Sequence, residues 1–310
     1  MSILEIVTVG PLTSVQDFGR FGAQRYGLTP SGAMDRLSLA AANALTENPL
    51  SAPTIEVGPM KTVFVARGGP LCVALTGALR FARVSDQACP LYHTFMLQEG
   101  ETLTLDAARK GMFSYLAVAG ELKGDATFGS FSVNARAGLG SPYPRPLQGG
   151  DRLTFENTAL LPDRTMAPPI FSEGAIRVVP GPQYEEFGTS AEALFDSRWL
   201  ISPTSDRMGY RLEGHLLSHS GNFNIVSDGT VDGSIQVAGG QPIVLMKDRG
   251  TTGGYPKIAT IISTDIGRFA QTRPRHDIRF EMIDVAEAQN EARAFHDLLQ
   301  SLPEKIRTDA

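Results

Sequence analysis

Two cysteines in 310 residues, Cys72 and Cys89, are too few for a disulfide framework, and both stand in strand-like surroundings. The same scarcity argues against a cysteine-based zinc site and for reduced thiols in a core. No block of lysine or arginine interrupts a chain of net charge −5, so neither nucleic acid nor an anionic membrane is expected as a partner. No apolar run approaches the roughly 20 residues of a membrane-spanning helix. The opening "MSILEIVTVGPLTS" lacks the basic segment and long apolar stretch of a secretory signal, so a cytoplasmic protein is expected. Three catalytic signatures are missing: the phosphate loop G-x-x-x-x-G-K-[ST], the nucleophile elbow G-x-S-x-G and the zinc motif H-E-x-x-H. His215 and His219 stand four apart, but "GHLLSHSGN" does not read as a helix, and no metal site is expected.

What is present is a chain 42% hydrophobic and 20% charged, a balance that supports a buried core. Glycine and proline punctuate many short apolar runs. "TIEVG", "KTVFVA", "LCVALTG", "LRFARV", "HTFML", "ETLTLD" and "MFSYLAVAG" follow one another with only a few turn residues between. Several alternate polar and apolar, which favours antiparallel sheet over βαβ winding. The fold class is therefore mainly β with a few helices (α+β).

One helix is expected near residues 33–46, with Ser31 as its cap and Met34, Leu37, Ala41, Ala44 and Leu45 facing inward. Another helical stretch runs near Gln183 to Phe195. A last helix starts at Asp284, with Glu287 three residues on, and buries Ala288, Ala292, Phe295 and Leu299. The proline-rich "ALLPDRTMAPPIFSEG" has no periodicity and is the natural boundary. The expected organisation is an N-terminal β-rich lobe over 1–170, a C-terminal β-barrel lobe over 171–300, and a frayed tail over 301–310.

Three polar clusters carry the chemistry. In "SVQDFGR", Gln16, Asp17 and Arg20 supply an amide, a carboxylate and a guanidinium that suit a substrate amide or carboxylate; alternatively Asp17 and Arg20 fix their own loop. In "PSGAMDR", Ser31 and a helix N-terminus offer donors to an anion, or form an ordinary capped helix. The densest cluster joins "SDRMGYRL" to "DRGTTGGYPK", bringing Asp206, Arg207, Tyr210, Arg211, Asp248, Tyr255 and Lys257 into two adjoining loops; alternatively these are structural turns with solvated charges. Gly253 and Gly254 permit close backbone approach there.

"GPLTSVQDFGRFG", "GLTPSGAMDRLSLAAANAL", "PTSDRMGYRLEG" and "GGQPIVLMKDRGTTGGYPKIATI", in this order, resemble the allophanate hydrolase subunit 2 family. That family includes the C subunit of bacterial 5-oxoprolinase, a similar half of urea carboxylase carboxyltransferase regions, and an antagonist of a bacterial kinase inhibitor. The resemblance implies two β-barrel-like lobes of cyclophilin-like character facing a cleft. It also implies a subunit-1-type partner, a LamB/YcsF-like subunit, a small amide substrate, and ATP used in the assembled complex, bound there by this chain or a partner. The alternatives are a carboxyltransferase component served by biotin on a separate carrier and a non-catalytic regulator of a kinase-inhibitor-like partner. Lys247 is followed by Asp248 rather than by the methionine of a Met-Lys-Met biotin acceptor. The implied site has Tyr255, Lys257, Asp248 and Asp206 as catalytic groups. Gln16, Asp17, Arg20, Ser31, Arg207, Tyr210, Thr251, Thr252, Gly253 and Gly254 bind the substrate. Gly250 stands where relatives carry a glutamine, Glu121 where they carry a second glycine, and Asn134 where they carry a larger residue.

Overall fold

The computed structural model describes residues 1–169, 174–220 and 224–308, and every count below is of these. The chain divides into two compact units. The first comprises Met1–Gly22, Ser31–Ile170 and Leu298–Ala310, and the second Ala23–Pro30 and Phe171–Asp297. The partition differs from the expected one in two places. Ala23–Pro30 leaves the N-terminal unit for the second. The expected tail returns to the first, where Leu302 is buried and Arg307–Thr308 pairs with Arg164–Thr165. Residues 170–173 of the expected boundary lie outside the described residues.

The first unit is two sheets around one core. Ser2–Thr8 buries alternate residues, so Leu4 and Ile6 point inward. This strand pairs antiparallel with Thr62–Arg67 and Arg152–Glu156 in a seven-stranded sheet. Ser14–Gln16, Thr54–Val57, Lys110–Val118, Leu71–Leu79 and Thr94–Leu97 form the five-stranded sheet, in that order. Phe64, Leu103 and Leu153 from one sheet meet Ile55, Val73 and Leu116 from the other in a continuous apolar core.

The helix Arg36–Leu45 packs on Leu71–Leu79 and Lys110–Val118 and buries every residue from Leu37 to Leu45, not one face. Its run of alanines permits that close embedding. Its cap is Asp35, whose carboxylate accepts from the Ser38 N–H at 3.1 Å, a contact worth about 1 kcal/mol. Ser31 is not the cap; it sits upstream at φ 53°.

The second unit is a barrel-like sheet of eight strands. Its order is Asp277–Ile278, Trp199–Ile201, Gly209–Glu213, Gln241–Leu245, Ser234–Ala238, Lys257–Ile261, Ile176–Pro180, Phe280–Met282. The two edge strands are separated in sequence by Arg279 alone. One short segment therefore pairs with both ends of the sheet and nearly closes it, leaving little exposed edge. Trp199 fills the interior, and its indole N–H donates to the Leu194 carbonyl at 2.9 Å. The last helix, Val285–Gln300, starts as expected, with the Glu287 N–H donating to Asp284 Oδ1 at 2.7 Å. Among the described residues no helix is long and apolar enough to cross a membrane.

Candidate functional site

The predicted residues gather into two clusters, one in each unit. In the first, Asp17 is buried and takes four donors. The Gly19 N–H and the Ser130 hydroxyl reach Oδ1 at 2.7 Å, the Ser132 hydroxyl joins them, and the Phe131 N–H reaches Oδ2 at 2.6 Å. Asp17 thus anchors the long Gly- and Pro-rich loop that follows Phe128. Arg20, fully buried, donates to the Ser132 carbonyl. Gln16 Nε2 donates to Ser14 Oγ at 2.9 Å and to the Val133 carbonyl at 3.1 Å. Asn134 Nδ2 donates to Ser31 Oγ at 3.1 Å, so one of the three residues that depart from the family pattern touches a predicted one.

Behind this loop lies a buried network that sequence reasoning missed. The Tyr115 hydroxyl donates to Glu56 Oε2 at 2.8 Å and accepts from the Asp35 N–H at 2.7 Å. Glu56 Oε2 also accepts from the Met34 N–H at 2.8 Å. Burial, then the neighbouring Glu56 and Asp35 charges, push the Tyr115 phenol well above its ordinary range. It is a fixed donor rather than an acid.

In the second unit, Lys257 opens its strand and is 4% exposed, yet its ammonium reaches Asp228 Oδ2 at 3.0 Å. The Lys257 hydrogen bond, helped by the Gly229 N–H, holds the Asp228 carboxyl below its ordinary range. Thr252–Gly253 pairs with Asp228–Gly229 in a short ladder that places Gly253 opposite Asp228. Thr251 accepts from the Thr230 N–H at 3.1 Å through its carbonyl, and Gly254 accepts from the Ile225 N–H at 2.8 Å. Tyr255 is 42% exposed, which leaves its ring open to a ligand.

Arg207 grips Asp248 with two nitrogens, at 2.8 and 3.3 Å. This ties "SDRMGYRL" to "DRGTTGGYPK", as their shared polarity suggested. Lys247 and Arg249, both buried, converge on Asp232. Two predicted residues carry structural duties instead. Asp206 Oδ1 accepts from the Met208 and Gly209 N–H groups and so forms the turn. Tyr210 is buried against Phe269 and donates to the Ala270 carbonyl at 3.0 Å. Asp228 was missed because its link to Lys257 comes from strand pairing, not spacing. Among the described residues no group of three or more potential ligands could hold a metal. A cavity of about 950 Å³ in the first unit, walled by Leu91, Met166, Leu302 and Arg307, involves none of the predicted site residues.

Residues 26–282 match the family described as carboxyltransferase domain, subdomain A and B. The chain belongs to that family. It is 37% identical over 305 residues to the C subunit of 5-oxoprolinase from Escherichia coli, covering 96% of this chain and 97% of that one. It is 35% identical over 288 residues to the C subunit of 5-oxoprolinase from Haemophilus influenzae, covering 92% and 93%. Among solved structures, TTHA0988 matches with a TM-score of 0.82 and 32% identity over 91% of this chain and 55% of its own. This carboxyltransferase-family chain therefore spans about half the length of that protein. The Kluyveromyces lactis urea amidolyase matches with a TM-score of 0.88 at 22% identity, over 98% of this chain and 21% of its own, which is a likeness of fold.

Proposed function

We propose that this chain is a subunit of an ATP-dependent 5-oxoprolinase that opens the lactam of 5-oxo-L-proline to glutamate. The observation that carries this reading is the similarity to two 5-oxoprolinase C subunits over more than nine-tenths of both partners in each comparison. The reaction takes place in the cytoplasm, in a complex with a subunit-1-type protein and a LamB/YcsF-like subunit.

Opening the lactam adds water to the carbonyl carbon and breaks the ring C–N bond, with a proton passing to the departing nitrogen, and the carbonyl oxygen must be polarised by fixed donors as charge builds on it. The Lys257 ammonium and the Tyr255 hydroxyl are the donors assigned to that oxygen. Thr251, Thr252 and the backbone of Gly253 and Gly254 line the ring, and Asp248, held by Arg207, keeps the loop in place. Asp228 sets the Lys257 ammonium.

Among the described residues, neither of the two longer helices offers a free N-terminus to ATP phosphate. Both helices long enough to offer an N-terminus to phosphate, Arg36–Leu45 and Val285–Gln300, are capped by carboxylates, those of Asp35 and Asp284. Negative charge stands where phosphate would bind, so a partner subunit is assigned the nucleotide. Membership of the carboxyltransferase-domain family favours a second reading, carboxyl transfer from biotin on a separate carrier. Lys247 does not itself carry biotin in that reading, being buried against Asp232 at 2.6 Å. The test is glutamate formation from 5-oxoproline by the co-purified complex. Glutamate that requires this chain supports the first reading. Transfer from carboxybiotin to urea, with no glutamate, supports the second.

A further inference from the structure

Gln236 lies in Ser234–Ala238 and is 6% exposed. It is the register partner of Lys257, immediately after a shift in pairing between Ile235 and Gln236. Antiparallel partners project from the same face of a sheet, and an irregularity of this kind re-aims a side chain. The Gln236 carboxamide presses on Gly253 so closely that a Cβ there would overlap Gln236 Nε2. Gly253 in turn pairs with Asp228, and Asp228 holds Lys257. Gln236, Lys257, Asp228 and Gly253 therefore form a closed circuit of neighbours. Within it, Gln236 Nε2 is buried and meets no acceptor among the described residues. A buried amide donor is costly when unsatisfied, and a polar ligand bound at the site removes that cost.

We propose that Gln236 is a further substrate-positioning residue, donating its carboxamide N–H to an oxygen of the substrate held beside Lys257. The ligand class is a small molecule with a carbonyl or carboxylate acceptor, as 5-oxoproline has. This rests on the assignment of the Lys257 site to substrate. It adds that the glycine at 253 serves to admit the glutamine amide.

The test uses the assembled complex with three variants. Gln236→Met keeps the side-chain length and removes the donor. Gln236→Glu keeps an acceptor in place of the donor. Lys257→Met examines the site itself. Steady-state kinetics with 5-oxoproline are read beside the thermal midpoint of each purified chain. The expected result is a KM raised roughly tenfold or more in both Gln236 variants, with kcat less affected and the midpoint held near that of the parent. Unchanged KM and kcat in Gln236→Met, with activity lost in Lys257→Met, overturns the role of Gln236 and leaves the site reading intact. Loss that tracks a lowered midpoint in both Gln236 variants also overturns it, since that marks a packing role. Full activity in Lys257→Met overturns the site reading and the inference with it.

Discussion

Lys257 Nζ lies 3.0 Å from Asp228 Oδ2, with the lysine side chain 5% exposed and the aspartate 62%. A nearly buried ammonium is thus tied to a carboxylate that stands in solvent. Because the Lys257 hydrogen bond holds the Asp228 carboxyl below its ordinary range, the pair persists to lower pH than an unpaired aspartate would allow. Asp228→Asn keeps the shape and removes the charge. It is expected to lower kcat/KM of the assembled enzyme by roughly tenfold, the scale of one charge-assisted hydrogen bond. Asp228→Glu is expected to lose less. Steady-state kinetics of the two variants check this.

Gly253→Ala and Gly32→Ala separate function from folding. At Gly253 the new methyl meets the far end of the Gln236 side chain, which can swing aside, so stability changes little. Activity falls because the amide is displaced. At Gly32, φ is +93° and a Cβ would meet the Gly19 backbone nitrogen at 2.9 Å, where nothing can yield. That substitution is expected to destabilise by about 2 kcal/mol or more. Urea unfolding of the chain alone, beside complex activity, distinguishes the two.

Tyr115→Phe removes a hydroxyl that serves Glu56 and the Asp35 N–H at once. Each partner loses a bond in a fully buried setting, so the expected cost is about 1–3 kcal/mol. Far-UV circular dichroism under denaturant measures it.

Acid sensitivity should concentrate at Asp265. Burial works against its ionisation, but Arg177 at 2.8 Å and Arg268 at 2.6 Å outweigh it and hold the carboxyl below its ordinary value. A depressed carboxyl contributes stability that is present above the unfolded pKa, near 4, and is lost as pH falls through the folded one. Asp265→Asn is therefore expected to cost about 3 kcal/mol at neutral pH and to flatten the acid limb below about pH 4. Denaturant midpoints across the acid range show whether that limb flattens.

The strands were legible because their signal is local. Alternation in Ser2–Thr8 and the turn residues after each apolar run are enough to mark them. "TTGGYPK" was legible as a dense polar loop beside a strand. The partners of its lysine were not. Asp228 and Gln236 reach Lys257 through the register of strands distant in sequence, which composition does not encode. Ser130, Ser132 and Asn134 lie in a loop without periodicity, yet they surround Asp17 and Ser31. The helix cap failed for a different reason. Ser31 and Asp35 are both able cappers, and only the backbone, at φ 53° for Ser31, decides between them. Arg307–Thr308 read as a frayed end because its partner, Arg164–Thr165, lies far back in the chain.

The most direct test of the account is glutamate formation from 5-oxoproline by the complex of this chain with its subunit-1-type and LamB/YcsF-like partners, with parent chain and with Lys257→Met. Glutamate and ADP are expected in equal amounts with the parent, and a loss of at least roughly a hundredfold with the variant while the complex stays assembled, the scale set by removal of a charge-stabilising donor. Glutamate formed at the same rate without this chain, or with Lys257→Met in its place, would contradict it.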